Sequence, residues 1–492
     1  MLTISTEDVI GRIRTENPWW EGSHTVSEAY RSLKKRPYFD LFFPLVEMQT
    51  PNRAVVLMGP RRVGKTVMIY HAIQALIDKG IPAHSVCYFS ADHPIYNGLS
   101  LGKMLDFYTQ ASGLKRDSRN IFVFFDEIQY LKDWEIHLKT AVDRFPQIKF
   151  IASGSAAAAL RLKSTESGAG RFTDFMLPPL TFYEYLYLLD KLELLEEPSK
   201  ERSEKVGQFF FAKEIDELNR QFVSYLNFGG YPEVIFSTTI QSDPARFIKS
   251  DIIDKVLLRD LPSLYGIGDI QELNSLFTTL AFNTANEISL EGLSQTSGVA
   301  KNTIKRYIEY LEAAFLVKVV HRVDRNVKKF KRANFFKVYL TNPSMRAALF
   351  SPLREDENAV GPLAETAIFS QWFHSDVTTL YYARWQDGEV DIIALDPGQK
   401  VRWAVEVKWS DRYSDHPEEL KSLISFCHGN PLKTPPLVTS KTVTAVREVS
   451  GVKVRFVPAS EYCYTVGYNL IRGKKPKENA PIQLELPVAP KN

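Results

Sequence analysis

The stretch GPRRVGKT, Gly59 to Thr66, has glycine, lysine and hydroxyl residues at the spacing GxxxxGK[ST]. Glycines let a loop wrap its backbone N–H groups around a phosphate chain. Lys65 then reaches the β and γ oxygens, and the Thr66 hydroxyl serves Mg²⁺. Gly59, Pro60, Arg61, Arg62, Val63, Gly64, Lys65 and Thr66 are therefore the candidate ATP-binding residues. The competing reading is an ordinary glycine turn. The flanks argue against it: RAVVLM suits a buried strand, and VMIYHAIQALIDKG has helical apolar spacing that ends at Gly80.

Phosphate chemistry also needs a carboxylate for the metal and a base for water. NIFVFFDEIQYL, from Asn120, is an apolar run of the kind that fills a central parallel strand, and it ends in Asp126 and Glu127. In this Walker B pattern Asp126 holds the magnesium hydration shell and Glu127 polarises the attacking water. The alternative is two carboxylates capping the next helix. A third apolar strand, KFIASGS, brings Ser153 and Ser155 to a strand end, where Ser153 can sense the γ-phosphate or merely form a turn. Arg171, in ESGAGRF, is a candidate arginine finger, with a solvated arginine as the alternative.

A second chemistry is suggested by WAVEVKW, from Trp403. Strand alternation places Ala404, Glu406 and Lys408 on one face and Val405 and Val407 on the other. Upstream, YYARWQDGEVDIIALD reads as a partner strand joined to it through DPGQK, with Glu389 and Asp391 sharing a face. Registered side by side, the two runs bring Asp391 beside Glu406 and Lys408. Carboxylate oxygens of this kind suit Mg²⁺ or Mn²⁺ rather than zinc. A solvated edge strand explains the same charges without a metal.

Between these sites, ISLEGLSQTSGVAKNTIKRYIEYLEAAFLVKVV has the layout of a helix-turn-helix. An apolar helix leads to a turn at Gly298, and a second helix from about Lys301 turns Ile304, Ile308 and Leu311 inward. Its other face carries Lys301, Asn302, Lys305 and Arg306, which can meet DNA; Lys301, Lys305 and Arg306 are the candidate DNA-binding residues. Glu309 and Glu312 lie close by and weaken that reading. The basic stretch His321 to Arg332, with Phe330 interleaved, reads as a basic wing or a solvated hairpin. The leucine-rich, charged run from Leu186 to Asn219 reads as helix, solvated loop, helix, and carries no chemistry.

At 492 residues the chain is modular, and 44% hydrophobic with 24% charged residues describes a globular protein with no run long enough for a membrane span. A net charge of +3 makes any nucleic-acid surface local. MLTISTEDVIGRIRTENPWW lacks the pattern of a secretory signal, so a cytoplasmic location is expected. Cys87, Cys427 and Cys463 show no CxxC spacing, which argues against a disulfide framework or a cysteine zinc site.

GPRRVGKT, DEIQYL, ASGS, GRFTDFMLPPLTFYEY and FGGYPEV, taken in order, resemble successive signatures of a group of bacterial and archaeal AAA-type ATPases. In that group a winged helix and a restriction-endonuclease-like domain follow the ATPase. Ser153 stands where the group more often has threonine, and Asn342 where it more often has aspartate. The resemblance implies an α/β chain organised as an N-terminal helical segment (1–50), a P-loop AAA-type core (51–190), a helical lid region (191–275), a winged helix (276–345), a PD-(D/E)xK nuclease-like domain (346–475) and a tail (476–492). It implies Glu365, Asp391, Glu406 and Lys408 as nuclease-site residues, with Glu365 on the helix GPLAETAIFSQWF. Asp391 and Glu406 would hold the metal and Lys408 would steady the attacking water. ATP, Mg²⁺, DNA and a homo-oligomer are the implied partners, and defence against foreign DNA suits the architecture. The alternative is a regulatory ATPase whose C-terminal domain binds without cutting, or a nuclease scaffold with an idle metal site.

Overall fold

The structure, a computed structural model, describes residues 5–22, 24–114, 118–155, 170–197, 208–328, 334–373 and 378–473. The tail 476–492, residues 156–169 ahead of Gly170, residues 198–207 of the leucine-rich run, and Lys329 to Arg332 of the basic stretch lie outside the described residues. The chain divides into two compact units, Met1–Pro178 and Pro179–Asn492.

The first unit is built on a parallel sheet of β1 (Ala54–Met58), β2 (Val86–Ser90), β3 (Ile121–Asp126), β4 (Ile148–Gly154) and β5 (Phe172–Met176), ordered β2-β3-β4-β1-β5. β3 is apolar up to Asp126 and buried at every position, as a central parallel strand covered on both faces requires, with Phe122, Phe124 and Phe125 all buried. Full burial of each such ring contributes about 1.5–3 kcal/mol. The segment before β1 packs against the same sheet. Trp19 and Trp20 each donate their indole N–H to the Val86 carbonyl at 2.9 Å, and Asn17 pairs with the Tyr88 backbone.

The second unit begins with helix Phe182–Leu188, the short pair β6 (Leu195–Glu196) and β7 (Phe211–Ala212), and helix Ile215–Phe228. Farther along come helix Ile270–Phe282, β8 (Glu287–Ser289), helices Leu290–Ser297 and Lys301–Ala313, β9 (Val317–Val323) and β10 (Phe335–Leu340). Gly298, at φ 74°, makes the turn between the two helices, a left-handed conformation that suits glycine. Ile304, Ile308 and Leu311 point inward as the spacing requires, whereas helix Leu290–Ser297 buries no residue.

After helix Val360–Trp372 come β11 (Leu380–Trp385), β12 (Gly388–Leu395), β13 (Val401–Glu406), helix Lys421–Gly429, β14 (Leu437–Ser440), β15 (Ala445–Val449) and β16 (Val452–Pro458). One mixed sheet, ordered β15-β16-β14-β13-β12-β11-β9-β10-β8, contains strands from both the helix-turn-helix segment and the segment after it; β9 pairs in parallel with β11. YYARWQDGEVDIIALD is not one strand: Trp385 pairs with Gly388 across a tight turn, so β11 and β12 form a hairpin of their own. DPGQK then joins β12 to β13, as the turn residues require.

Candidate functional sites

The first unit gathers polar residues at the carboxyl ends of its parallel strands, where α/β sheets commonly bind ligands; the second gathers them where the carboxyl end of β13 meets the amino end of the antiparallel β12. In the first unit β1 leads into the Gly59–Gly64 loop and the helix Lys65–Asp78. A Cβ on Gly59 would lie 2.1 Å from the Leu177 carbonyl oxygen, so no side chain fits there. Arg62 and Gly64 are left-handed, at φ 64° and 94°, the kind of backbone that lets successive N–H groups face one anion. Beneath the loop the buried Arg36 donates to the Val63 carbonyl at 2.8 Å and to Pro178 O at 3.1 Å. Lys65 is buried and its ammonium reaches Gly59 O at 3.1 Å and Pro60 O at 2.9 Å.

Asp126, at the end of β3, gathers the hydroxyls. Thr66 donates to its Oδ2 at 2.7 Å, Tyr88 donates to the same oxygen at 3.0 Å, and Ser153 donates to Oδ1. Burial, reinforced by the Asp126 charge, pushes the Tyr88 hydroxyl far above the ordinary tyrosine range, so it serves as a fixed donor. A hydroxyl and a carboxylate meeting at 2.7 Å form a hard-oxygen pair suited to Mg²⁺. Glu127 is left-handed at φ 54°. Its N–H donates to Ser153 Oγ at 3.1 Å, and its carboxylate accepts from Gln129, whose own carbonyl accepts from Ser155 N at 3.3 Å.

Arg171 is not brought to this site. It precedes β5 at the amino-terminal ends of the strands, where its carbonyl accepts from Ala54 N, and its guanidinium pairs with Asp143 at 2.8 Å with both side chains half exposed. Within one chain it lies at the opposite edge of the sheet from Thr66.

In the second unit the register Ile392↔Val405 continues to set Asp391 opposite Glu406. Asp391 Oδ2 accepts from Val407 N at 2.9 Å and lies 3.8 Å from Lys408 Nζ, while Lys408 pairs with Glu406 Oε1 at 2.7 Å. Two expectations need correcting. Lys408 lies beyond β13, which ends at Glu406; its backbone is pinned by Thr439 of β14, which accepts from Lys408 N at 2.7 Å and donates to Lys408 O at 2.8 Å. Nor is the charged face open along its length. Ala404 packs into an apolar cluster with Ile393, Val438 and Phe456, and Val405 on the other face is buried too, so the charges occupy only the strand end.

Glu365, on helix Val360–Trp372, joins the group through a residue the sequence reading passed over. Lys337, on β10 and 3% exposed, places its ammonium 3.0 Å from Glu365, 2.7 Å from Glu389 and 3.6 Å from Asp391. Tyr339 donates to Glu365 at 2.6 Å. Burial, then the Asp391 charge, pushes Glu406 up to about 7. Burial likewise pushes Glu365 up to about 7, with the Lys337 ammonium opposing and Asp391 adding to the rise. Burial would raise Asp391 as well, but Lys408, Lys337 and the Val407 N–H outweigh it and hold Asp391 below the ordinary range. Glu406 Oε2 is buried with no hydrogen-bond partner, so one carboxylate oxygen is left for a cation. Among the described residues no three histidine, cysteine or acidic groups converge as metal ligands, so any ion here rests on Asp391 and Glu406 with water or backbone completing its shell.

On helix Lys301–Ala313, Lys301, Lys305 and Arg306 are exposed. Lys301 pairs with Glu291, and Lys305 approaches Glu309 at 3.9 Å, which reduces the positive field.

Residues 51–186 match the family model described as an AAA domain. This part of the chain is similar to AAA domains. Residues 219–357 match a domain of unknown function. An uncharacterised protein of Methanocaldococcus jannaschii is 26% identical over 324 residues, covering 63% of this chain and 66% of its own length. An uncharacterised protein of Haemophilus influenzae is 22% identical over 423 residues, covering 84% and 95%. Among solved structures, the Saccharomyces cerevisiae Hsp104–ADP complex aligns with a TM-score of 0.31 at 14% identity, covering 62% of this chain and 41% of that one. A Thermotoga maritima RuvB mutant aligns with a TM-score of 0.29 at 17% identity, covering 60% and 89%. No helix among the described residues is long and apolar enough to cross a membrane.

Proposed function

We propose that the chain hydrolyses ATP in its AAA-type domain and cuts DNA at a metal-dependent PD-(D/E)xK site in its second unit. The observation that carries the nuclease reading is the buried, unpartnered Glu406 Oε2, set across the strands from Asp391 with Lys408 alongside. At the first site Thr66 and Asp126 would hold Mg²⁺, Lys65 would neutralise phosphate oxygens, Ser153 would sense the γ-phosphate, and Glu127, once released by Gln129, would take the proton of the attacking water. At the second, Asp391 and Glu406 would hold Mg²⁺ or Mn²⁺, and Lys408 would orient water and offset charge on the phosphate. A divalent ion supplies Lewis-acid polarisation of the phosphate at both sites. Glu365 would not touch substrate; Lys337 and Tyr339 hold it beside Asp391 as a positioning group. Helices Leu290–Ser297 and Lys301–Ala313 with β9 and β10 would act as a winged helix that presents Lys301, Lys305 and Arg306 to the DNA backbone.

The ion pairs that occupy Lys301 and Lys305 favour a second reading, a regulatory ATPase that binds nucleic acid or protein without cutting. Incubation with plasmid and linear DNA, with and without ATP, in Mg²⁺ and in Mn²⁺ separates the two. Cleavage that disappears in Asp391→Ala, Glu406→Ala and Lys408→Ala while ATP turnover persists supports the nuclease. DNA binding without cleavage under every condition refutes it.

A further inference from the structure

Given the reading of GPRRVGKT as a phosphate loop, we infer that Arg36, in the segment ahead of the parallel sheet, is a positioning residue for that loop: it sets the direction of the Gly64 N–H and with it the affinity for the phosphates of ATP and ADP. Arg36 is 7% exposed and lies outside residues 51–186, the part that matches the AAA domain model. Its Nη1 donates to Val63 O at 2.8 Å and to Pro178 O at 3.1 Å, and its Nη2 donates to Pro178 O at 3.1 Å. The guanidinium thus ties the phosphate loop to the chain that leaves β5.

The Val63 carbonyl and the Gly64 N–H belong to one planar trans peptide, so they point in opposite directions. Drawing the oxygen to the guanidinium turns the Gly64 N–H away from Arg36. In a GxxxxGK[ST] loop such N–H groups are what the phosphates bind. The other end of the tie is fixed as well: Leu177 N donates to Met58 O at 2.7 Å, and Leu177 O stands where a Cβ on Gly59 would fall. Residues 177 and 178 therefore brace the loop twice, directly at Gly59 and through Arg36 at Val63. Arg36 is itself held in place. Its carbonyl accepts from Phe39 N at 2.9 Å at the start of helix Phe39–Glu47, and its guanidinium lies 5.4 Å from the Tyr38 ring centre. Tyr38 and Phe42 pack on Phe175 of β5, with ring centres 6.2 Å and 5.3 Å apart. A planar guanidinium fork spans two carbonyls at once, which the single ammonium of a lysine does less well.

The test compares ATP and ADP affinity and ATP turnover of the full chain in wild type, Arg36→Met and Arg36→Lys, each well below its melting temperature. Arg36→Met is expected to weaken ATP and ADP binding alike, by roughly tenfold to a hundredfold, the scale for losing hydrogen bonds from a charged group. The loss should fall on KM rather than kcat, because an interaction made equally with bound substrate and transition state raises KM alone. Arg36→Lys keeps the charge without the fork and should lose less, roughly threefold to tenfold, which keeps the test available if Arg36→Met does not fold. An Arg36→Met chain that melts lower yet binds both nucleotides as wild type does makes Arg36 a brace of the fold and overturns the role given to it. A fall in kcat at unchanged KM overturns it too, as does an Arg36→Lys chain with wild-type affinity. A wild type that binds neither nucleotide overturns the phosphate-loop reading itself.

Discussion

Glu406→Gln tests the charge cluster without relying on catalysis. Glu406 is pushed up to about 7 from an ordinary value of 4.5, first by burial and second by the Asp391 charge. A folded chain that keeps a proton the unfolded chain has released gains stability at low pH. That contribution is complete below pH 4.5 and is lost as pH rises through about 7. At 1.36 kcal/mol per pKa unit the difference is about 3 kcal/mol, and coupling to Asp391 and Glu365 brings the expectation to about 1–3 kcal/mol. Amide hydrogen exchange of residues 389–408, corrected for intrinsic rates and measured in EDTA, reads this locally and does not require the whole chain to unfold in one step. Wild-type protection should fall roughly tenfold to a hundredfold between pH 5 and pH 8. Glu406→Gln, neutral throughout, should lose about half of that slope, and Glu406→Gln/Glu365→Gln nearly all of it, because Glu365 is pushed up to about 7 as well. Mg²⁺ should restore protection at pH 8 in wild type and not in Glu406→Gln. A flat wild-type profile, or a double variant with the wild-type slope, would show that these carboxylates are not held protonated by burial.

The AAA-type domain yields three more expectations. Lys65→Ala should abolish ATP binding or turnover, whereas Glu127→Gln should bind ATP and retain it unhydrolysed in a filter-binding chase; wild-type turnover in Glu127→Gln removes Glu127 from the role of base. Gly59→Ala sets a methyl group 2.1 Å from the Leu177 carbonyl, so it should lower the melting temperature, with a cost of at least about 1–3 kcal/mol, and weaken nucleotide binding. Arg171→Ala breaks a half-exposed ion pair and should cost at most about 1 kcal/mol of stability. If Arg171 serves a neighbouring subunit, the same variant should lower hydrolysis more than nucleotide affinity, and wild-type specific activity should rise with protein concentration; concentration-independent turnover by a monomer eliminates that role.

What could be read in the sequence was whatever a single segment decides. The P-loop needs one loop, and its glycines, Lys65 and Thr66 stand where the spacing puts them. β3 is apolar up to Asp126 and buried at every position, which a run such as FVFF announces. Lys337 was missed although its setting, FFKVYL, poses the same puzzle as WAVEVKW, a charge inside an apolar strand. The partners that explain it, Glu365 and Glu389, lie on a helix and a strand farther along the chain, and only the sheet order joins them. Arg36, Tyr88, Gln129 and Thr439 were missed for the same reason, since each acts on a backbone carbonyl, carboxylate or hydroxyl remote in sequence or reached only through a turn. Arg171 lies away from the Thr66 of its own chain for a topological reason. A residue just before a strand parallel to β1 belongs at the amino-terminal edge of the sheet, and β5 could not be placed beside β1 from periodicity alone.

The shared sheet also bears on how the second unit works. A linker between the helix-turn-helix segment and the Asp391–Lys408 site would let each move independently, but the strands on either side are hydrogen-bonded: Tyr381, Tyr382 and Ala383 of β11 pair with His321, Arg322 and Val323 of β9. Lys337 is registered against Val320 of β9 and Glu287 of β8, so its ammonium is placed by the same strands that flank helix Lys301–Ala313. Shifting that helix relative to β11 and β12 would have to break ladder hydrogen bonds or draw Lys337 out of a buried cluster, and the second would take the cation from Glu365 and leave Glu389 with Arg384 and Asp391 with Lys408 alone. Charge complementarity therefore ties the position of the helices to the state of the carboxylates.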